Sequence, residues 1–134
     1  LEIMDTKLVG TIVRAMHYLH EIPSPYFKIY PDMGNLSNFS NDVTEELELG
    51  ISEIVAIHVK ETKPGKFKEV PFGTGEVHFT EIFKKLKELD YHGMFLIEMW
   101  ADNSIYQSVD EASQKIAVAY QFVIGKMKEA GMEV

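Results

Sequence analysis

The sequence predicts an α/β fold with a parallel sheet, organised as four strand–helix units that form half of a (β/α)8 TIM barrel. Short apolar runs of strand character alternate along the 134 residues with amphipathic segments of helical spacing. Acidic or imidazole side chains stand at the ends of four such runs, 30, 26 and 40 residues apart. A strand and its return helix take roughly 30 residues, so this spacing is typical of successive parallel strands. A whole barrel needs about 250 residues, which is why we expect a half.

The first two units occupy the first 30 residues. A strand is predicted at Leu1–Met4, and it has no turn or cap before it. A helix over Lys7–His20 follows, because apolar residues recur there at helical spacing and Pro23 and Pro25 prevent its continuation. Tyr26–Tyr30 is then a short strand, rich in aromatic and β-branched residues. Because the chain begins inside a strand, we expect residues 1–134 to be the C-terminal part of a longer single domain.

The third unit combines a short helix, a buried strand and a long loop. Asp42 opens the helix through a capping-box-like Asp-Val-Thr-Glu sequence, and the helix ends at Gly50. Residues Ile51–Val59 contain four consecutive apolar side chains and form the clearest buried parallel strand. The stretch Lys60–Val77 is rich in Gly and Pro and is predicted to be a loop. Loops of this length in a compact domain are usually functional.

The fourth unit closes the chain. Thr80 caps a helix with an apolar stripe that ends near Gly93, and Met94–Met99 is the next strand. A second capping box begins at Ser108 and opens a long final helix that ends at Gly131.

Composition narrows the class of protein. The 46% hydrophobic content favours a folded globular chain over a disordered one, and the net charge of −8 disfavours a nucleic-acid partner. The sequence has no cysteine, which excludes disulfides and thiolate zinc sites and leads us to expect a cytoplasmic location. No apolar run approaches the roughly 20 residues of a membrane-spanning helix, so we expect no membrane partner.

Four strand-end residues, Glu2, Asp32, His58 and Glu98, are candidate ligands of a metal ion. The carboxyl ends of parallel barrel strands meet at one rim, which is where active sites lie in this fold. Two Glu, one Asp and one His form a hard, oxygen-rich set suited to Mn²⁺, Mg²⁺ or Zn²⁺. We therefore predict that the four side chains converge on one divalent ion.

Each residue taken singly has a simpler explanation. Asp32 alone is more often the residue that shapes an Asx turn, and His58 alone is as often a hydrogen-bonded core histidine. Glu98 differs, because its neighbours Met94–Ile97 and Met99 are apolar and a buried carboxylate is costly unless it is paired or metal-bound. The recurrence of the same strand-end context makes a shared metal site the better explanation.

A basic island lies in the long loop of this acidic protein, at Lys60, Lys63, Lys66 and Lys68. By composition alone it is more often a solvated surface. As a functional element it would bind a phosphate, because barrels often hold phosphate in the loops after their last strands. Trp100 could wall a pocket, although packing is slightly favoured.

At these residues the chain resembles the L-ribulose-5-phosphate 3-epimerases, also named L-xylulose-5-phosphate 3-epimerases or hexulose-6-phosphate isomerases. The resemblance runs over the whole chain and corresponds to the C-terminal half of the family's sequence. The motifs that carry it are Glu-Ile-Met-Asp at 2–5, Tyr-Pro-Asp-Met-Gly-Asn-Leu-Ser at 30–37, Asn-Asp-Val at 41–43, Ile-Val-Ala-Ile-His-Val-Lys at 54–60, Thr-Lys-Pro-Gly at 62–65, Val-Pro-Phe-Gly-Thr-Gly at 70–75 and Phe-Leu-Ile-Glu-Met-Trp at 95–100.

The resemblance implies a xylose-isomerase-like barrel, of which this chain is units 5–8, and a role in L-ascorbate and pentose catabolism. It implies a divalent metal held by Glu2, Asp32, His58 and Glu98, with Glu2 and Glu98 as the acid/base pair. We assign substrate or phosphate binding to Asn35, Lys60, Lys63 and Lys66. The expected partner is a small sugar phosphate, and no redox cofactor is needed. The first four units are absent, which leaves the activity of the isolated chain open.

The reaction so implied is epimerisation at C3 of a ketopentose 5-phosphate. A proton leaves C3 beside the C2 carbonyl and returns on the opposite face, through a cis-enediolate that a metal would stabilise. Two carboxylates on opposite faces of the sugar exchange the roles of base and acid.

Two alternative functions make different demands on the sequence. A DNA-repair endonuclease on a related barrel uses extra histidines for three zinc ions, one of them beside the strand-end Asp, but here Asp32 is followed by Met33-Gly34-Asn35. A non-catalytic half barrel or assembly module is the remaining alternative. A half barrel exposes two strand edges, so we also expect self-association or pairing with the missing N-terminal half.

Overall fold

The computed structural model describes residues 1–100 and 108–134. Its helices and strands follow the chain in the order α1 (Ile12–Glu21), α2 (Met33–Phe39), α3 (Val43–Gly50), a 3-10 turn (Ile51–Glu53), β1 (Ala56–Val59), α4 (Phe79–Glu88), β2 (Met94–Ile97) and α5 (Val109–Glu129).

The sheet consists of four parallel extended segments that lie side by side in chain order. β1 and β2 pair in parallel, with Ala56 opposite Met94 and Val59 opposite Ile97. Two earlier segments join through single parallel bridges, Glu2 with Tyr30 and Ile29 with Ile54. The prediction of four parallel strands with return helices is confirmed in order and direction. The first two strands, however, are reduced to isolated bridges.

Two helices start at other residues than predicted. α1 begins at Ile12 rather than at Lys7, because Thr11 caps it by accepting the backbone N–H of Arg14 at 3.3 Å. α4 begins at Phe79, one residue before the predicted cap. Thr80 lies inside that helix, and its hydroxyl donates to Glu129 at 2.9 Å.

The third unit also differs in detail from its prediction. The helix capped by Asp42 is confirmed, and the Asp42 side chain accepts the backbone N–H groups of Thr44 and Glu45. The predicted strand Ile51–Val59 begins later, since residues 51–53 form a 3-10 turn and β1 starts at Ala56. The final helix, capped by Ser108, is confirmed.

One helix was missed altogether. α2 follows directly after Asp32, whose side chain caps it by accepting the Asn35 N–H at 2.6 Å. Gly34 allows this helix to approach β1, because a Cβ at that position would lie 2.8 Å from the carbonyl oxygen of Lys60. α2 therefore holds the end of the second strand against the end of β1.

The helices cover one face of the sheet and bury a single core. Ile57, Val59, Phe83 and Leu86 are fully buried there. Phe95 packs on the ring of Phe83 at a centroid distance of 5.5 Å.

The sequence predicted no membrane-spanning helix. Within residues 1–100 and 108–134, no helix is both long and apolar enough to cross a bilayer.

The opposite face of the sheet carries exposed apolar side chains. Val55, Met94 and Leu96 are 53%, 69% and 43% exposed. In the described residues β2 pairs only with β1, so its other edge has open backbone donors and acceptors. Such edges bind further strands.

We therefore expect the 134-residue chain, expressed alone, to self-associate or to bind a separately expressed N-terminal half. Sedimentation velocity at micromolar concentration should show a species heavier than the 15.3 kDa chain. Met94→Lys with Leu96→Lys should reduce that association, because the charges would be buried at the new interface. The matched control places lysines at Ile22 and Leu49, which are 58% and 59% exposed. A stable monomer with no second polypeptide would refute the expectation.

Candidate metal centre at the strand ends

The candidate metal centre lies where the four parallel segments end. The parallel bridges of Glu2 with Tyr30 and of Asp32 with His58 place these residues at neighbouring positions. Glu98 follows β2 directly, and its backbone N–H donates to the carbonyl of Val59 at 3.0 Å. The pairing of the strands thus brings distant parts of the chain to one rim.

Three of the four predicted ligands form a close cluster. His58 Nδ1 lies 3.3 Å from Glu2 Oε1 and 3.0 Å from Glu98 Oε2. One ligand atom from each of these three residues lies within 4.8 Å of the other two. Two carboxylates and one imidazole at these distances could hold a divalent cation.

Asp32 lies beside the cluster rather than within it. Its side chain is fully buried, and Oδ2 is 3.5 Å from Lys60 Nζ. Burial raises the pKa of Asp32 to about 7, although the Lys60 ammonium and the hydrogen bond from the Asn35 backbone oppose the shift. A positive charge is therefore the natural partner of this carboxylate in its ionised form.

Lys60 is part of the same constellation. It is only 6% exposed. Its ammonium lies 3.3 Å from Glu98 Oε1 as well as 3.5 Å from Asp32 Oδ2, so it links the cluster to Asp32. The predicted phosphate-binding lysine thus has its charge directed to two of the predicted metal ligands.

Trp100 contributes a contact that the sequence did not reveal. Its indole N–H donates to Glu98 Oε1 at 2.6 Å. Lys68 Nζ lies over the same ring, 4.0 Å from its centroid. Trp100 thus contacts a predicted metal ligand and lines a cavity together with Glu98.

Several polar atoms in this region are buried and make no hydrogen bond within the described part of the chain. They are Asp32 Oδ2, Asn35 Oδ1, His58 Nδ1 and Glu98 Oε2. Buried polar atoms that make no hydrogen bond are rare in native proteins and call for an explanation such as an ion. Two of these atoms, His58 Nδ1 and Glu98 Oε2, lie 3.0 Å apart, close enough to share one ion as ligands. Three of the four belong to predicted metal ligands, so the chemistry of the donor set fits a divalent cation.

The local potential is negative. The ring of Tyr30 packs on His58 at a centroid distance of 4.1 Å. Burial and the neighbouring negative charges, of which Glu2 contributes most, raise the pKa of Tyr30. A cation would be attracted to this rim.

Asn35 lies in the first turn of α2 and is buried. Its amide nitrogen donates to the carbonyl of Ile3 at 2.9 Å, which ties α2 to the first segment of the sheet. Its Oδ1 remains without a partner among the described residues. Asn35 thus holds α2 against the first segment of the sheet and offers Oδ1 as an acceptor at the rim.

The other two predicted phosphate ligands lie on a different surface. Lys63 and Lys66 are exposed and flank a tight turn, in which their backbones exchange hydrogen bonds of 3.0 and 2.8 Å. Lys63 lines a polar groove of about 560 Å³. Glu98 and Trp100 line another cavity, of about 510 Å³, together with Lys60.

Glu61 is a further residue that sequence reasoning missed. It is 3% exposed, and its carboxylate accepts the backbone N–H groups of Thr62, Gly73 and Val77 at 3.2, 3.0 and 3.2 Å. It organises the long loop behind the site, since a buried carboxylate needs several donors. Its position directly after a strand, at the start of a Gly- and Pro-rich loop, was the only signal.

Comparison with known proteins identifies the fold family. A family model described as the xylose isomerase-like TIM barrel matches residues 1–122. The match covers all four strand segments and most of α5.

Curated relatives are similar over nearly the whole chain. L-ribulose-5-phosphate 3-epimerase UlaE of Escherichia coli (strain K12 / DH10B) is 46% identical over 132 residues, which are 98% of this chain and 45% of that protein. The protein of the same name from Escherichia fergusonii gives the same values. The chain therefore spans about half the length of the curated relatives it matches. The resemblance predicted from the sequence is confirmed.

Solved structures share the fold at low sequence identity. D-psicose 3-epimerase with D-tagatose, from Clostridium cellulolyticum H10, has a TM-score of 0.75 at 16% identity, over 95% of this chain and 48% of that chain. An L-ribulose 3-epimerase has a TM-score of 0.70 at 16% identity, over 98% and 48%. The barrel fold is thereby confirmed, and this chain matches about half of each barrel.

Proposed function

Because the chain belongs to the xylose isomerase-like TIM barrel family, we propose that residues 1–134 are the C-terminal half, units 5–8, of a divalent-metal-dependent sugar-phosphate 3-epimerase. The proposed reaction interconverts L-ribulose 5-phosphate and L-xylulose 5-phosphate. The relatives at 46% identity carry the name of that activity. Cytoplasmic L-ascorbate catabolism is the proposed setting.

The observation that carries the proposal is the cluster of potential ligand atoms at the strand ends. Glu2, His58 and Glu98 face one another within 4.8 Å, and buried atoms of His58 and Glu98 make no hydrogen bond to any residue that the structure describes. With Asp32 they would hold Mn²⁺, Mg²⁺ or Zn²⁺. Such an ion supplies Lewis-acid stabilisation of the negative charge that develops on the sugar oxygens.

The two glutamates are the groups able to move the proton. We propose that one of Glu2 and Glu98 removes the C3 proton while the C–H electrons move into the C2 carbonyl, and that the other returns a proton on the opposite face. Both carboxylates contact the same imidazole nitrogen, His58 Nδ1, at 3.3 and 3.0 Å, so two candidate proton carriers lie at one site. This arrangement supports a two-base epimerisation, which needs no redox cofactor.

The Lys60–Lys66 region supports a phosphorylated substrate. The substrate-binding set proposed from the sequence is Asn35, Lys60, Lys63 and Lys66. Neutralising Lys63 and Lys66 together, each to Gln, should raise KM for the sugar phosphate much more than for the unphosphorylated ketopentose, because ammonium groups recognise phosphate by charge. Steady-state kinetics with both sugars measures this.

The matched control neutralises Lys84 and Lys128, which are exposed on α4 and α5 and change the net charge equally. Equal effects of the loop variant on both sugars would argue that Lys63 and Lys66 are only a solvated surface. The separate groove lined by Lys63 is the observation that makes this test necessary.

An inactive half barrel or assembly module is the second candidate. It is favoured by the exposed apolar face, where Met94 is 69% exposed, and by the Glu2 side chain, which is 41% exposed. One experiment separates the two functions. L-ribulose 5-phosphate is incubated with the chain, alone and with an N-terminal half, and conversion to L-xylulose 5-phosphate is followed by proton NMR. Conversion that is lost with chelator supports the epimerase, and no conversion in either sample supports the assembly module.

A further inference from the structure

The two oxygens of the Glu98 carboxylate have different surroundings. Oε1 accepts the indole N–H of Trp100 at 2.6 Å and the Lys60 ammonium at 3.3 Å. Oε2 is buried, makes no hydrogen bond within the described residues, and lies 3.0 Å from His58 Nδ1. Both donors therefore act on one oxygen and leave the other facing the cluster.

We infer that Trp100 is a positioning residue for Glu98, which fixes the carboxylate so that Oε2 alone is presented to the cation and the substrate. The inference rests on the proposed function. A hydrogen bond to a carboxylate is charge-assisted and about twice as strong as a neutral one. Bonded at Oε1, the Glu98 side chain cannot exchange its two oxygens without breaking that bond.

The ring of Trp100 makes a second contact, with Lys68. Lys68 Nζ lies 4.0 Å from the centroid of the indole, within the range of a cation–π contact. Lys68 belongs to the long loop Lys60–Val77, so the indole connects that loop to Glu98. The ring contact and the N–H contact use different parts of the side chain and can be removed separately.

Outer hydrogen-bond partners of metal ligands typically change metal affinity by about 10–100-fold when they are removed. Trp100→Phe removes the N–H and keeps a ring for Lys68. Lys68→Met keeps the N–H and removes the cation. We expect Trp100→Phe to weaken Mn²⁺ binding by about 10-fold or more and to lower kcat more than it changes KM. Lys68→Met should weaken Mn²⁺ binding much less than Trp100→Phe, because the indole N–H can still donate to Glu98.

The measurement is isothermal titration of Mn²⁺ into the polypeptide that carries these residues, with each variant checked by circular dichroism. Unchanged affinity in Trp100→Phe, or an equal loss in both variants, overturns the inference. If Trp100→Phe fails to fold, the indole N–H resonance of the unmodified protein decides, since Glu98→Gln should shift it and Glu81→Gln should not. An indole resonance indifferent to Glu98→Gln overturns the inference as well.

Different results contradict the proposed function and the positioning role of Trp100. Mn²⁺ binding that depends on Trp100, in a protein that converts no ketopentose 5-phosphate, would contradict the epimerase and leave the positioning role in place. Epimerase activity, together with Mn²⁺ affinity that Trp100→Phe leaves unchanged, would support the epimerase and contradict the positioning role of Trp100.

Discussion

Replacing His58 by alanine is expected to release the divalent ion and abolish turnover. His58 Nδ1 lies 3.3 Å from Glu2 Oε1 and 3.0 Å from Glu98 Oε2, and it is the only nitrogen ligand in the cluster described here. Without it the cluster would lose one of its three potential ligands and its only imidazole. We expect a loss of affinity larger than the roughly 10–100-fold cost of an outer-shell change.

Metal content after dialysis, measured by mass spectrometry of the eluted protein, tests this prediction. The matched control is His92→Ala, because His92 is exposed and contacts only Asp90 among the interactions seen, at 3.0 Å. Metal content equal to that of the unmodified protein in His58→Ala would remove His58 from the site.

Replacing Glu98 by glutamine is expected to lower kcat by about 100- to 10,000-fold, the range for loss of a general acid–base group. Glutamine keeps the length of the side chain and an acceptor for the Trp100 N–H, but it can neither take up nor return a proton at neutral pH. The Glu98 side chain is 19% exposed, so little water is available to replace it.

The rate of conversion of the sugar phosphate under saturating Mn²⁺ measures the effect, so that weakened metal binding does not account for the loss. Glu81→Gln serves as the control, because the Glu81 side chain is 70% exposed on α4. A fall in kcat of less than about 10-fold would exclude Glu98 as the acid or base.

The sheet and its rim were predictable from the sequence because both depend on short-range patterns. Consecutive apolar residues mark buried parallel strands, and a strand-helix repeat of about 30 residues fixes their parallel order. The carboxyl ends of such strands meet by geometry. Glu2, His58 and Glu98 follow predicted strands in the sequence, and in the structure they lie together at the ends of those strands.

The helices at strand ends were less predictable because competing signals act over a few residues. α2 has seven residues, fewer than two and a half turns, so it shows little periodicity, and its Asp-Met-Gly-Asn start also fits a turn. The prediction placed the start of α1 too early in the sequence, because Leu8 and Val9 continue the apolar spacing. The cap at Thr11 decides its start.

The partners of side chains could not be predicted from the sequence. Lys60 was placed with the other lysines by its charge, whereas its ammonium lies against Asp32 and Glu98. Trp100 contacts Glu98 two residues earlier, a distance along the chain that allows either contact or separation. The groups that a side chain contacts depend on the packing of the whole rim, because a buried charge is stabilised only by the groups that the fold brings to it.

The central claim is that one divalent ion binds at the strand ends and is held by residues of this chain. Crystals of the polypeptide that carries the sequence, grown with Mn²⁺, would test it through an anomalous difference map at the manganese edge. The account predicts one strong peak bonded to His58, Glu2 and Glu98, with Asp32 turned toward it. A map with no peak at this rim, or with a peak bound by other residues, would contradict it.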